Sequence, residues 1–102
     1  MPKGYVILTE DIKDPAGMEA YSRAAGAAMA GGGVTVLSVE RTPQVLEGEW
    51  HGTQTVVLEF ESVEAARAWY ESPEYQEAKK LREAAADTNA VIVSGFGAPG
   101  KG

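Results

Sequence analysis

Cysteine is absent from this 102-residue chain. Disulfides, thiolate nucleophiles and thiolate-bound metals are therefore excluded before any pattern is read. Basic residues are scarce as well: nine lysines and arginines face fifteen acids, giving a formal charge of -6. Such a balance repels phosphate backbones and anionic headgroups, so neither nucleic acid nor a membrane surface is expected as a partner. No apolar run approaches the length of a bilayer span. Met1-Pro2-Lys3-Gly4-Tyr5 enters a strand pattern without a basic-then-apolar leader, which makes the cytoplasm the expected location. Signature motifs of common chemistries are also missing. There is no Ser-X-Gly nucleophile elbow, no HExxH and no aspartate-rich loop. Gly31-Gly32-Gly33 follows a helix pattern and precedes a strand, the reverse of the order that cradles a phosphate on a helix N-terminus.

What remains is an ordinary globular composition, 44% hydrophobic and 24% charged. One domain is expected over residues 1–96, with a flexible tail from 97 to 102. A chain of this size buries roughly 65% of its unfolded surface, enough for one thin core.

Two strand-into-helix units repeat along the sequence. Tyr5 to Leu8 is short, apolar and partly β-branched, and predicts a strand. Asp14-Pro15 marks a helix start, with Asp14 placed to accept a first-turn amide and Pro15 at the position that needs no N–H. Met18, Tyr21, Ala25, Ala28 and Met29 then recur at helical spacing, and Glu19 and Arg23 pair on the opposite side. The three glycines stop that helix. A valine-rich second strand is expected from Gly33 to Val39, and an irregular excursion or edge hairpin from Arg41 to Gly52. Gln54 to Phe60 reads as the third strand. Ser62 caps a second helix, which Ser72-Pro73 breaks and restarts, putting Tyr75, Ala78, Leu81 and Ala85 on one face. Ala90 to Ser94 predicts the last strand.

The order β-α-β-β-α-β is one of the recurring two-layer α+β patterns, with helices on one face of an antiparallel sheet. Val6 and Leu8, and Val56, Leu58 and Phe60, alternate toward the helix side. Tyr5, Ile7 and Thr9, and Thr55, Val57 and Glu59, fall on the other face. That second face is largely apolar with polar atoms among it, so a cover is required. A second copy laid sheet to sheet is the expected cover, forming a homodimer around a cavity.

Gly4-Tyr5-Val6-Ile7, Asp14-Pro15, Tyr21, Gly32-Gly33, Val45-Leu46-Glu47-Gly48-Glu49-Trp50 and Glu59-Phe60 occur in that order. Ser62-Val63-Glu64-Ala65-Ala66, Tyr70, Ser72-Pro73-Glu74-Tyr75 and Arg82 complete the series. With these motifs the chain resembles the bacterial DUF1330 family, a domain of unknown function, from about Gly4 to Gly95. The resemblance implies the dimeric α/β-barrel superfamily with a ferredoxin-like protomer. Cofactor-independent monooxygenases, lactone isomerases, polyketide cyclases and small stress-response proteins share that superfamily. The family has no agreed activity, so the resemblance implies no catalytic residue, and His51-Gly52 departs from its proline-rich pattern.

Glu59 is the sharpest catalytic candidate read from the residues themselves. On the open face, in a partly dry cavity, its carboxylate could act as general base or acid, with Tyr5 or His51 assisting. The alternative is a structural ion pair or cap bond. Tyr5 and Thr9 offer hydroxyls on the same face. Trp50 could lid a pocket or reach a partner, and Glu47 is a further ligand-binding candidate. Fully extended, Glu47, Glu49 and His51 would project together as metal ligands, but Gly48 and Gly52 argue for a turn that scatters them. No metal and no cofactor are expected. Trp69 reads as core, Tyr21 as a core ring with a wetted oxygen, and Arg82 as a solvated helix charge or ion-pair partner.

These features predict a binder of a small apolar or oxygenated metabolite, in enzymatic form an isomerase, cyclase or monooxygenase that needs no cofactor. A non-catalytic metabolite-binding or stress-response module is the alternative, and a barrel filled solid by side chains is a third.

Overall fold

The computed structural model describes residues 2–30 and 33–96. The stop expected at Gly31 and Gly32 and the tail from Gly97 onward lie outside the described residues. Seven elements follow in order: β1 (Gly4–Ile12), α1 (Pro15–Met29), β2 (Thr35–Glu40), β3 (Gln54–Phe60), α2 (Val63–Glu71), α3 (Pro73–Ala85) and β4 (Ala86–Ser94). The strands form one antiparallel sheet in the order β2-β3-β1-β4.

Side-chain caps set several of these boundaries. Ala65 N–H donates to Ser62 Oγ at 3.0 Å and opens α2. Ser72 both closes α2 and opens α3: its Oγ donates to the Trp69 carbonyl at 2.7 Å and accepts from Tyr75 N–H at 3.2 Å. Pro73, lacking an N–H, takes the first position of α3. Asp14 departs from expectation, because its side chain makes no cap bond. The N–H groups of Lys13 and Asp14 instead donate to the Ala85 carbonyl at 2.8 and 3.0 Å, which ties the start of α1 to the end of α3.

Two strands run longer than their apolar patterns. β1 continues through Glu10 to Ile12, and β4 begins at Ala86, because the two pair with each other as far as Ile12 against Ala86. Ladder bonds between neighbours override the weak strand preference of Asp87, Asn89 and Asp11. β2 covers Thr35–Glu40 rather than starting at Gly33, and its register with β3 shifts between Val36 and Ser38. A bulged edge strand of this kind resists pairing with further chains.

The alternation along the inner strands holds. Val6, Leu8, Leu58 and Phe60 are buried against α2, where Ala66 lets helix and sheet approach closely. Trp69 packs 4.1 Å from the Tyr75 ring and 5.4 Å from Phe60, as a core residue. On α3 the expected stripe needs correction. Tyr75, Ala78 and Ala85 are buried, but Leu81 is 41% exposed and Arg82 only 5% exposed. Arg82 is not a solvated charge: it points into the space between helices and sheet.

α1 packs along α3 rather than directly on the strands. Its Ser22, Ala25 and Gly26 are too small to fill the gap beneath it, so β2 and part of β3 lack a tight roof. Among the described residues no helix is long and apolar enough to cross a membrane.

Candidate functional site

The open face of the sheet carries most of the residues expected to do chemistry, grouped in two places. Tyr5 and Glu59 are direct partners in the β1–β3 ladder, and the Tyr5 hydroxyl donates to Glu59 Oε2 at 3.1 Å. That hydrogen bond, helped by desolvation and by the carboxylate charge, raises the pKa of the Tyr5 phenol. Thr9 lies at the other end of the face, where its Oγ1 meets His51 Nδ1 at 2.8 Å. Thr55 stands opposite Thr9 and accepts from Trp50 Nε1 at 2.9 Å. Two residues per repeat at about 3.4 Å each put the groups roughly 13 Å apart, with Ile7 and Val57 between them. The structure thus joins Glu59 to Tyr5 and separates Glu59 from His51.

Glu47 and Trp50 line a shallow cavity of about 440 Å³ with Val45 and Leu46, in the segment between β2 and β3. Gly48 and Gly52 there have φ of 74° and 84°, so Glu47, Glu49 and His51 do not form an extended row. His51 Nε2 lies 3.9 Å from Asp87 Oδ2. Among the described residues no three histidine, aspartate or glutamate side chains cluster as metal ligands.

A different constellation lies between the helices and the sheet. Gln54, Glu10 and Thr88 are neighbours across β3, β1 and β4, and all three side chains face the helix side. Glu10 is 1% exposed and Gln54 8%. Gln54 Nε2 donates to Glu10 Oε1 at 2.7 Å. Above this row, the hydroxyls of Tyr21 and Tyr75 meet at 2.8 Å, so the Tyr21 oxygen is bonded in the core rather than wetted. Arg82 completes the group, and its Nε has no partner among the described residues, nor has Thr88 Oγ1.

Electrostatics follow from this enclosure. Burial raises the pKa of the Glu10 carboxyl, and it outweighs the opposing hydrogen bond from Gln54 and the charge of Arg82. Burial likewise pushes both tyrosine phenols up. A cavity of about 250 Å³ opens beside Glu10, Gln54 and Tyr21, with Leu8, Val36, Val56, Leu58 and Met29 as apolar wall. A second cavity of about 390 Å³ adjoins it, shares Ser22 and Gln54, and runs out past Met18 and Arg41. A carboxyl in a mostly apolar chamber with a route to the surface has the makings of a proton-transfer site.

Sequence reasoning missed this site although its signal was present. Glu10 continues the inward series Val6, Leu8, and Gln54 continues Phe60, Leu58, Val56.

Fold and site define an α+β protein of the ferredoxin-like class. The chain belongs to the DUF1330 family, described as "Domain of unknown function", whose profile matches residues 3–96. No curated protein is a significant match to the sequence. Among solved structures, the RPA0582 protein of unknown function from Rhodopseudomonas palustris is similar at 21% identity and a TM-score of 0.73. The alignment covers 95% of this chain and 85% of that one. SnoaB, a cofactor-independent oxygenase from Streptomyces nogalater, is 12% identical with a TM-score of 0.67, over 98% of this chain and 99% of its own. A dimeric ferredoxin-like protein of unknown function from Jannaschia sp. CCS1 is 14% identical with a TM-score of 0.68, over 89% and 97%. Likenesses at these identities establish the fold.

Proposed function

We propose that the protein binds a small, largely apolar metabolite in the chamber beneath α1 and that Glu10 transfers a proton on it. The observation that carries this reading is Glu10 itself, a carboxyl 1% exposed on the wall of a cavity otherwise lined mainly by aliphatic side chains. A carboxyl whose pKa is raised by burial is a stronger base once ionised, and a usable acid when protonated. Taking a proton from carbon and returning it to another carbon of the same molecule gives an isomerisation without any bound cofactor. SnoaB, described as a cofactor-independent oxygenase, supports the view that this fold accommodates chemistry without a cofactor.

A second copy of the chain covers the open face in this reading. Val91 and Val93 on β4, and Val45, Leu46 and Trp50 between β2 and β3, are large apolar residues at least 41% exposed. The Jannaschia protein, described as dimeric, supports this assembly. The hydrogen-bonded Tyr5–Glu59 pair favours a second reading, in which a ligand sits between the copies on the open face with those two as the acid–base pair.

Amide-resolved NMR titration with a set of apolar metabolites separates the two. Binding under α1 shifts Ser22, Ala25 and Met29; binding on the open face shifts Ile7, Val57 and Trp50. Gly26→Leu decides further, because a side chain built at Gly26 meets nothing within 4 Å and grows into the chamber. Loss of binding in that variant is expected. Solvent deuterium entering a bound ketone, and failing to enter with Glu10→Gln, would identify the base. Binding without any exchange in the native protein would leave a carrier rather than an enzyme.

A further inference from the structure

We propose that the ligand of the chamber under α1 presents a carbonyl oxygen to Tyr21, whose hydroxyl proton is left free for it because Tyr21 accepts its buried bond from Tyr75. This rests on the reading of the chamber as the binding site and adds the chemical class of what enters it: a neutral, mostly apolar ketone, aldehyde or ester.

The direction of the Tyr75–Tyr21 bond follows from chemistry and burial. Arg82 nearby can only donate, so it takes no proton from Tyr75. It is 5% exposed, and its positive charge acts on the Tyr75 phenol against the larger effect of burial. Tyr75 is fully buried, and among the described residues the one side chain placed to accept its proton is Tyr21, 2.8 Å away. If Tyr21 donated to Tyr75 instead, the Tyr75 proton would be stranded in a closed core, which interiors strongly disfavour. Tyr75 therefore donates to Tyr21. The proton of Tyr21 is then left over, on a side chain that lines the chamber. Each bond in such a chain polarises the next, so the last hydroxyl is a better donor than an isolated phenol.

The rest of the chamber narrows the class. Its aliphatic wall suits a hydrocarbon body. Gln54 and Glu10 are bound to each other at 2.7 Å, and Tyr21 is the buried hydroxyl of the chamber wall whose proton is free for a ligand. A carbonyl accepts without bringing a donor of its own. A carboxylate would face Glu10 across the same small space, and burying a second carboxyl charge there is unfavourable. During proton removal by Glu10, the electron pair of the broken C–H bond moves onto the carbonyl oxygen, where the Tyr21 hydroxyl stabilises the forming enolate.

The test uses the full chain and two matched probes, acetophenone labelled with ¹³C at its carbonyl and ethylbenzene. Acetophenone is expected to bind about tenfold tighter, the worth of one surviving hydrogen bond. Its bound carbonyl stretch is expected below the frequency seen in an apolar solvent. Tyr21→Phe should erase the preference and return the stretch to the apolar-solvent position, while both probes still shift the amides of Ala25 and Met29. Equal affinity for the two probes, or an unmoved carbonyl band in the native protein, overturns the proposal and leaves the chamber standing as a site. Failure of both probes to shift those amides removes the site and the proposal together. The native band decides the matter even if Tyr21→Phe does not fold.

Discussion

Gln54 Nε2 and Glu10 Oε1 are 2.7 Å apart on adjacent strands of the sheet centre, yet the carboxyl that accepts this bond still has a raised pKa. Burial wins over one amide donor and the Arg82 charge. The consequence for stability has a definite sign. A folded-state pKa above the unfolded one means that the folded protein binds the proton more tightly. Stability contributed by neutral Glu10 is complete below the usual value of 4.5 and is lost as pH rises through the raised folded value. Glu10→Gln should remove that downward slope, so its urea midpoint should vary less than the native one across the window just above pH 4.5. Parallel slopes for the two proteins would show that Glu10 is not the group responsible.

Arg82 offers a linked expectation. Its positive charge favours the Glu10 carboxylate, so Arg82→Met should move the Glu10 titration further upward, as followed by the side-chain carboxyl ¹³C shift. Removing one partner of a buried charge pair is costly when it leaves the other charged, but below the Glu10 transition that carboxyl is neutral and Arg82→Met strands no charge. Below the Glu10 transition the variant should therefore lie within about 1 kcal/mol of the native protein. Leu81→Lys, one residue earlier but on the exposed side, should change stability by no more than about 0.5 kcal/mol. If the Leu81 variant were the damaging one, the helix would be rotated from the orientation described.

These two residues show what the sequence could and could not convey. Tyr75, Ala78, Arg82 and Ala85 follow an unbroken helical stripe, and Leu81 lies off it. Hydrophobicity argued for Leu81; geometry put the arginine inside, because three polar groups there supply the company a buried charge needs. The same applies to Glu10 and Gln54. Their inward positions follow from period-two alternation, but a strand ended at Leu8 when judged by apolar residues alone. Ser62, Ser72 and Pro73 were legible because caps act through local bonds. The chamber was not, since it depends on α1 standing off the sheet, a distance that no local pattern records.

Gly52 ties the segment after β2 to this site. Its φ is 84°, and a Cβ there would come within 2.6 Å of the Glu10 backbone carbonyl. Thr53 N–H donates to that same carbonyl oxygen at 2.8 Å. Gly52→Ala should thus cost about 1–3 kcal/mol through positive-φ strain and the forced shift of β1. Gly48→Ala provides the control: its φ is 74°, but nothing lies within 4 Å of the added carbon. It should cost about 1 kcal/mol, the conformational part alone. Urea unfolding of both variants measures the difference, and equal losses would mean that the contact with Glu10 carries no weight.

The open face predicts an association constant that a single charge can spoil. Val91 is 52% exposed and sits beside Ile7 in the ladder, with Val57 on the far side of Ile7. A partner copy laid on this face would bury those three side chains, and twofold symmetry would bring two copies of any new charge into the same dry patch. Val91→Glu should therefore raise the dimer dissociation constant more than tenfold, about 1.4 kcal/mol or greater. Glu74→Gln, on the first turn of α3, should leave it unchanged. Sedimentation across a concentration series reads both. A native protein that sediments as a monomer at every concentration would rule out the covered face, yet it would leave Glu10 and its chamber untouched, because every residue lining that chamber comes from one chain.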